Sequence, residues 1–138
     1  MDITINYLAV FIASIVTMVL GVAWYSHSLF GKAWMKGMGM TQEKMEKLQK
    51  ETPKGMYFLA FIGSFVMAFV LAHFVQAWNV QDTSGALALA FWVWLGFIAT
   101  TMINSILWEG KSFKFYLINT SYQLVSLASM ALILTYLK

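Results

Sequence analysis

The sequence predicts an all-α integral membrane protein, a four-transmembrane-helix bundle with a short cytoplasmic interfacial helix in its first loop. The chain of 138 residues is 60% hydrophobic and only 11% charged, whereas a soluble domain carries about 25% charged residues. It contains four long apolar segments, and each exceeds the roughly 20 residues that are needed to cross the hydrocarbon layer. Nearly all of its lysines lie in the connections on one side of these segments.

The four apolar segments are the predicted spans of a single membrane domain, residues 1–138. They cover about residues 3–25, 55–78, 85–108 and 113–137, and residues 26–54 form the long loop. The first segment lacks the basic start and the small-residue cleavage site of a signal peptide. We therefore expect it to be retained as a transmembrane helix.

Lysine positions predict the orientation of the spans. The loop 26–54 holds six lysines, the third connection adds Lys111 and Lys114, and the opposite side carries Lys138 alone. Cytoplasmic loops of membrane proteins carry an excess of lysine and arginine. We therefore expect the long loop to face the cytoplasm and both termini to lie outside.

Within the long loop, the sequence predicts one short helix that ends at about Glu51. Thr41 can cap this helix, because its hydroxyl can accept a hydrogen bond from a first-turn amide, and Pro53 stops it before the second span. Met45 and Leu48 give the helix a thin apolar edge that fits either the membrane surface or a partner. The alternative is a solvated connector.

Small residues recur at intervals of four in three of the spans, where they form ridges that allow helix backbones to approach closely. The ridges comprise Ala9, Ala13, Thr17 and Gly21 in the first span, Ala60, Ser64, Ala68 and Ala72 in the second, and Ala88, Gly96, Thr100 and Asn104 in the third, where one interval between Ala88 and Gly96 is skipped. We expect these ridges to pack the spans into a compact bundle and to support a homo-oligomer.

Polar residues inside the spans indicate where a functional site lies, since a buried amide or hydroxyl without a partner is costly in lipid. Asn104 and Asn119 each lie roughly 8–9 Å below the cytoplasmic face at ~1.5 Å per residue, and Gln123 lies one turn above Asn119. The candidate ligand-binding residues of this cluster are Tyr25, His27, Lys32, Asn104, Glu109, Asn119 and Gln123. The alternative role is interhelical hydrogen bonding that fixes the register of the helices.

Aromatic residues flank the same face of the membrane, as is typical of interfacial belts. The predicted interfacial anchors are Trp24, Phe30, Trp34 and Trp108. Gly31 permits a turn that would lay the segment after the first span along the membrane surface, and Lys32 and Lys36 can reach lipid phosphates. We therefore expect membrane lipids as partners.

Several functional classes lack their sequence signatures. The chain has no P-loop, dinucleotide fingerprint, zinc-binding helix motif or serine nucleophile elbow, and it has no cysteine. We therefore expect no catalytic activity, no cofactor and no metal, although the methionines of the long loop are compatible with copper(I). A chain so hydrophobic, whose nine basic residues are all lysines, also does not fit a nucleic-acid-binding protein.

The most distinctive stretch of the chain resembles a known family. Trp24-Tyr25-Ser26, followed by Leu29-Phe30-Gly31-Lys32-Ala33-Trp34, is similar to the signature of the membrane family called domain of unknown function 1761. The stretches Trp94-Leu95-Gly96-Phe97 with Asn104, Glu109-Gly110-Lys111, and Phe115–Leu124 are similar to later parts of that family. The resemblance covers essentially the whole chain. It implies a four-span bacterial membrane protein, which we place in the bacterial cytoplasmic (inner) membrane, and it brings no established activity.

Two functions follow as hypotheses. The first is a self-associating protein that has a structural role or binds a lipid or amphipathic ligand near the cytoplasmic face. The alternative is a small-solute transporter or channel that forms its pathway only as an oligomer, because four short helices enclose little volume.

Overall fold

The computed structural model describes residues 2–138, which form helices joined by turns, and these residues contain no β-strand. The elements are α1 (Tyr7–Trp24), α2 (Gly31–Met38), α3 (Gln42–Glu51), α4 (Lys54–Ala77), α5 (Thr83–Val93), a π-helical segment (Trp94–Ala99), α6 (Thr100–Met102), α7 (Asn104–Leu107) and α8 (Phe113–Tyr136). From α5 to α7 the chain forms one long helix, Thr83–Leu107, called here the third long helix.

Four helices are long and apolar enough to cross a membrane: α1, α4, the third long helix and α8. Their bounds follow the predicted spans closely, apart from the first, in which the helix begins at Tyr7 rather than near Ile3. The prediction of an all-α chain with four long apolar helices is therefore confirmed.

Side-chain caps explain where three of these helices begin. The first amides of a helix have no partner within the helix, so a side-chain oxygen just before it stabilises the start. Asn6 accepts from the amides of Leu8 and Ala9 at the start of α1. Asp82 and Ser112 accept from the amides three residues later, at 2.7 Å and 3.1 Å, at the starts of α5 and α8.

Helix α8 lies at the centre of the bundle. Its most extensive contacts are with α1 and α5, and it also packs against α4. Helix α1 packs against α4 on one side of α8, whereas α4 and α5 touch at few positions. A lateral, wholly apolar groove therefore remains between α4 and α5, with Leu127 of α8 among its lining residues.

The hydrophobic core occupies the half of the bundle that is nearer the chain termini. Its buried residues come from 9–13 of α1, 68–75 of α4, 86–90 of α5 and 127–134 of α8. Many are alanines, which let the helix backbones approach closely. The opposite half, called here the lysine-rich half, is packed less completely, and the first two turns of α4 are exposed on all sides.

The predicted small-residue ridges differ in how far they are buried within the chain. Ala9, Ala13 and Thr17 of the first ridge are buried, as are Ala68 and Ala72 of the second. Ala60 is exposed and Ser64 is half-buried, so the second ridge packs within the chain only in the later half of α4. The third ridge does not pack within the chain, because Ala88, Gly96 and Thr100 are exposed and α5 instead buries Ala86, Leu89 and Ala90.

The π-helical segment Trp94–Ala99 shifts the register of the third long helix at its middle. A π turn adds a residue to the helical repeat and changes which side chains and carbonyls face a neighbour. Helix α8 is hydrogen bonded to both ends of this segment. The Trp94 indole donates to the Thr120 carbonyl at 2.7 Å, and the Tyr116 hydroxyl donates to the Ala99 carbonyl at 2.7 Å.

The long loop contains two helices rather than the single predicted one. Helix α3 is capped as expected, since the Thr41 hydroxyl accepts from the Lys44 amide at 3.2 Å. Helix α2 was not predicted. It ends at Met38, and the next residue, Gly39, has a φ of 70°, which favours glycine. Met35 of α2 and Met45 of α3 are both buried, and both line one cavity beside the end of α1. The position of α3 at a membrane surface stays a prediction.

Candidate functional site

A tyrosine–asparagine pair joins the end of α1 to α8 in the lysine-rich half. The Tyr25 hydroxyl donates to the Asn119 side-chain oxygen at 2.6 Å, and both residues are half-buried. One residue earlier, the Trp24 indole donates to the Ile118 carbonyl at 3.0 Å. These two adjacent contacts fix the end of α1 against one position of α8.

Tyr122 reinforces this junction one turn along α8. Its hydroxyl donates to the Thr17 carbonyl at 3.0 Å, and its ring meets the Tyr25 ring edge-on with centroids 5.4 Å apart. The contact depends on Gly21, because a Cβ atom at that position would lie 2.9 Å from the Tyr122 hydroxyl. Gly21 therefore allows α8 to approach α1 closely at this point.

Helix α2 packs against the end of α1 through a tight turn. Gly31 begins α2 so close to the preceding chain that a Cβ atom there would lie 2.4 Å from the Tyr25 carbonyl oxygen. Trp34 then meets the Tyr25 ring edge-on, with centroids 5.4 Å apart, and Phe30 packs against Trp24 at 4.8 Å. Two of the predicted anchors, Phe30 and Trp34, thus contact the end of α1, where a third anchor, Trp24, is the last helical residue.

The end of α1 borders, together with α2 and α3, an open cavity of about 660 Å³, called here the α1–α3 cleft. Its lining residues are Val22, Tyr25, Ser26, His27, Trp34, Met35, Gln42, Met45, Glu46 and Gln49. An adjoining cavity of about 360 Å³ shares His27, Met35 and Gln42 and adds Lys32, Lys36 and Met40. The cleft is therefore amphipathic, with tryptophan, valine and methionine side chains beside imidazole, amide and carboxylate groups.

The structure brings together some of the predicted ligand-binding residues and separates others. Tyr25 and His27 line the α1–α3 cleft, and Lys32 lines the adjoining cavity. Asn119 holds the Tyr25 hydroxyl, and Gln123 is half-buried one turn farther along α8.

Asn104 and Glu109 are placed differently. Both are exposed at the end of the third long helix, and neither lines the cleft. The predicted anchor Trp108 is also there, with 81% of its surface exposed.

Helix α3 supplies a wall of the cleft that the sequence reasoning missed. Gln42, Met45, Glu46 and Gln49 recur at a spacing of three and four residues, so they share one face of α3. That spacing was a readable signal for a polar helix face. Only the folding of α3 back toward α1 shows that this face lines a cavity.

Polar residues at the opposite end of the bundle have structural partners. Asn6 donates to the Leu137 carbonyl at 2.8 Å, and Gln76 pairs through both its amide groups with the backbone of Thr4. The His73 ring contacts the Phe69 carbonyl at 2.8 Å within its own helix. These contacts tie the two chain termini to the bundle.

Comparison with known proteins identifies a family whose function is unknown. The family model described as "Protein of unknown function (DUF1761)" matches residues 8–135. This match confirms the resemblance that the motifs of the sequence indicated. No curated protein and no solved structure matches the chain.

Proposed function

The chain belongs to this family of unknown function, and we propose that it is a self-associating membrane protein that binds an amphipathic ligand in the α1–α3 cleft. The single observation that carries the proposal is the cleft itself, a cavity of about 660 Å³ between the end of the apolar helix α1 and the short helices α2 and α3. Ligand cavities of proteins are mostly apolar, with a few polar groups that orient the ligand.

The lining of the cleft supports an amphipathic ligand. Trp34, Met35 and Met45 offer an apolar surface, and methionine side chains adapt readily to ligands of different shape. His27, Glu46 and Gln49 offer hydrogen-bonding groups on the same cavity. A ligand with an alkyl or aromatic part and a polar head satisfies both kinds of surface.

The lysine distribution supports a cytoplasmic position for this cleft. Six lysines lie between Lys32 and Lys54, in the segment that forms two of its walls. Under the positive-inside rule this segment faces the cytoplasm, with both termini outside and the protein in a bacterial cytoplasmic membrane. The cleft then opens where amphipathic molecules partition, at the boundary between membrane and water.

The uncovered face of the third long helix supports self-association. Gly96 and Thr100 lie one turn apart and are exposed, and a Cβ atom at Gly96 would meet no atom within 4 Å. Small residues at this spacing allow a second helix to approach closely in lipid. Because α8 fills the centre of a single chain, a solute pathway would also require an oligomer.

Photolabelling tests the cleft as a ligand site. The protein is reconstituted in phosphatidylcholine vesicles and labelled with a diazirine-bearing alkyl phosphocholine, and labelled peptides are mapped by mass spectrometry. We expect saturable labelling within residues 22–49. Gln49→Trp, which fills the rim of the cleft, should lower that labelling several-fold.

Leu48→Trp is the matched control. It adds the same side chain to the neighbouring exposed position of α3, which does not line the cleft, and it should leave the labelling unchanged. Non-saturable labelling spread along the lipid-facing residues of α4, equal in the two variants, would contradict the proposal.

A further inference from the structure

We propose that the face of α8 beginning at Lys114 binds an anionic phospholipid, with its phosphate beside Lys36 and Lys114 and an acyl chain along Leu117 and Ser121. This site shares no residue with the α1–α3 cleft, although Lys36 also lines the cavity that adjoins that cleft. It rests on the membrane insertion in the proposed function and not on ligand binding in the cleft.

A concave surface beside the start of α8 provides the headgroup part of the site. It has a volume of about 410 Å³ and is lined by Ala33, Lys36, Gly37, Gly110, Ser112 and Lys114. Two of these six residues carry a positive charge and none carries a negative charge. Glu109 precedes Gly110 in the chain, is exposed and does not line the cavity.

Close packing of α2 on α8 fixes the shape of this cavity. A Cβ atom at Gly37 would lie 2.7 Å from the Phe115 ring, so glycine is required for the two helices to meet here. Phe115 is only 7% exposed. Lys36 and Lys114, which are on different helices and are both exposed, thereby line one cavity.

Further positive potential comes from the start of α8. The Lys111 ammonium lies 5.6 Å from the centre of the Phe115 ring, which holds a third cation near the cavity. The helix itself adds the positive end of its dipole at Ser112 and Phe113. A phosphate group complements this combination of lysines and helix terminus in charge.

An apolar groove continues from the same lysine along α8. It has a volume of about 280 Å³ and is lined by Trp24, Phe30, Lys114, Leu117, Ile118 and Ser121. The four α8 residues lie on one helix face, since they are separated by three and four positions. The hydrogen bond from Trp24 to the Ile118 carbonyl and the packing of Phe30 on Trp24 fix the other wall.

The two cavities meet at Lys114, and this arrangement selects a lipid over a free anion. Lys114 lies near the start of α8, and the groove leads from it toward the middle of that long apolar helix. A lysine at such a position directs its ammonium to the membrane surface while its alkyl chain stays on apolar groups. A phospholipid has both a phosphate and an acyl chain, so it can occupy both cavities. Inorganic phosphate would use only the first cavity.

Native mass spectrometry of protein released from mixed phosphatidylcholine and phosphatidylglycerol vesicles tests the site. We expect the wild-type chain to retain phosphatidylglycerol in preference to phosphatidylcholine. Lys36→Gln combined with Lys114→Gln should weaken this retention about 30-fold, on the basis of the contribution of each lysine near a charged membrane surface. The control Lys44→Gln with Lys47→Gln removes the same charge from α3, away from both cavities, and should have little effect.

Two additional arms identify what is bound and where. Ser121→Phe fills the acyl groove without a change of charge and should lower phosphatidylglycerol retention several-fold, whereas Val66→Phe, at an exposed position of α4, should not. Excess inorganic phosphate should leave the lipid bound. Equal losses in both lysine pairs, retention that is unaffected by Ser121→Phe, or displacement of the lipid by phosphate would each overturn the proposal.

Discussion

The Tyr25 hydroxyl and the Asn119 side-chain oxygen lie 2.6 Å apart and form the hydrogen bond that joins the end of α1 to α8. The two residues are 94 positions apart in the sequence, so this contact exists only in the folded bundle. It also orients the Tyr25 ring that lines the α1–α3 cleft and packs against Trp34. Tyr25 therefore both makes an interhelical hydrogen bond and lines the cleft that we propose as a ligand site.

Removal of this hydrogen bond should destabilise the bundle by a modest amount. We expect Tyr25→Phe and Asn119→Leu each to lower the free energy of unfolding by about 0.6–2 kcal/mol, the range for hydrogen bonds between membrane helices. The double variant should lose less than the sum, because both changes remove the same contact. Unfolding in mixed detergent followed by circular dichroism measures these values. As a control, Tyr136→Phe, at the other end of the bundle, should add fully to Asn119→Leu.

Gly21→Ala should destabilise the contact between α1 and α8. The added methyl group would lie 2.9 Å from the Tyr122 hydroxyl, whose hydrogen bond to Thr17 would have to lengthen. We expect Gly21→Ala to be less stable than its control by about 0.5–1.5 kcal/mol in the same unfolding assay, because the Tyr122 hydroxyl can move aside only at the cost of this hydrogen bond. Gly55→Ala is the control, because that Cβ atom would meet nothing within 4 Å. A Gly21→Ala variant as stable as the control would show that this close approach is absent.

Gly31→Ala should open the turn between α1 and α2. Its Cβ atom would lie 2.4 Å from the Tyr25 carbonyl oxygen and 2.7 Å from that of Ser26, and backbone atoms cannot move aside as a flexible side chain can. We expect trypsin to cleave at the lysines of the long loop faster than in the wild type, since cleavage follows local opening. Gly63→Ala, in open space on α4, should be cleaved at the wild-type rate. Equal rates for the two variants would contradict the structure of this turn.

The exposed ridge of the third long helix should form contacts between copies of the chain. The chain has no cysteine, so single cysteines report on proximity without further changes. We expect Gly96→Cys and Thr100→Cys to form disulfide-linked dimers in membranes under mild oxidation. Phe97→Cys and Thr101→Cys, each one residue farther along the helix and therefore turned away from the ridge, should link poorly. Equal linking at all four positions would indicate random collision rather than a defined interface.

Much of the fold follows from hydropathy, because the length of an apolar segment determines whether it can span a membrane. The four long helices and the Thr41 cap of α3 were predicted correctly. The polar pattern also placed Tyr25 and Asn119 at one level, where they are hydrogen bonded. The predicted ends of the spans were thus sufficient to show that these two polar residues lie at the same depth.

Which face of each helix turns inward was harder to predict. In the third long helix both the Ala86–Ala90 face and the Ala88–Gly96–Thr100 face carry small residues, and the helix is apolar all round. Hydrophobic periodicity cannot distinguish two such faces in lipid. Asn104 belongs to the second of these faces, which is exposed both before and after the π-helical segment at Trp94. Its separation from Tyr25 therefore follows from which face of the helix packs against α8.

The α1–α3 cleft depended on tertiary packing to a greater degree. Helix α2 is only eight residues long, and its docking rests on the short contacts of Gly31 and Gly37. The sequence marked Gly31 as a turn but gave no indication that Gly37 lies against Phe115. Contacts between segments about 80 residues apart are not encoded in any local pattern.

The account depends above all on four complete crossings that leave the α1–α3 cleft and the loop 26–54 on the cytoplasmic side. Accessibility of single cysteines to a membrane-impermeant maleimide tests this most directly, with the cysteine-free chain as the blank. We predict that Thr83→Cys reacts in intact cells, whereas Lys47→Cys reacts only after the membrane is permeabilised. Reaction of both positions from the same side would contradict the topology and, with it, the cytoplasmic position of the proposed ligand site.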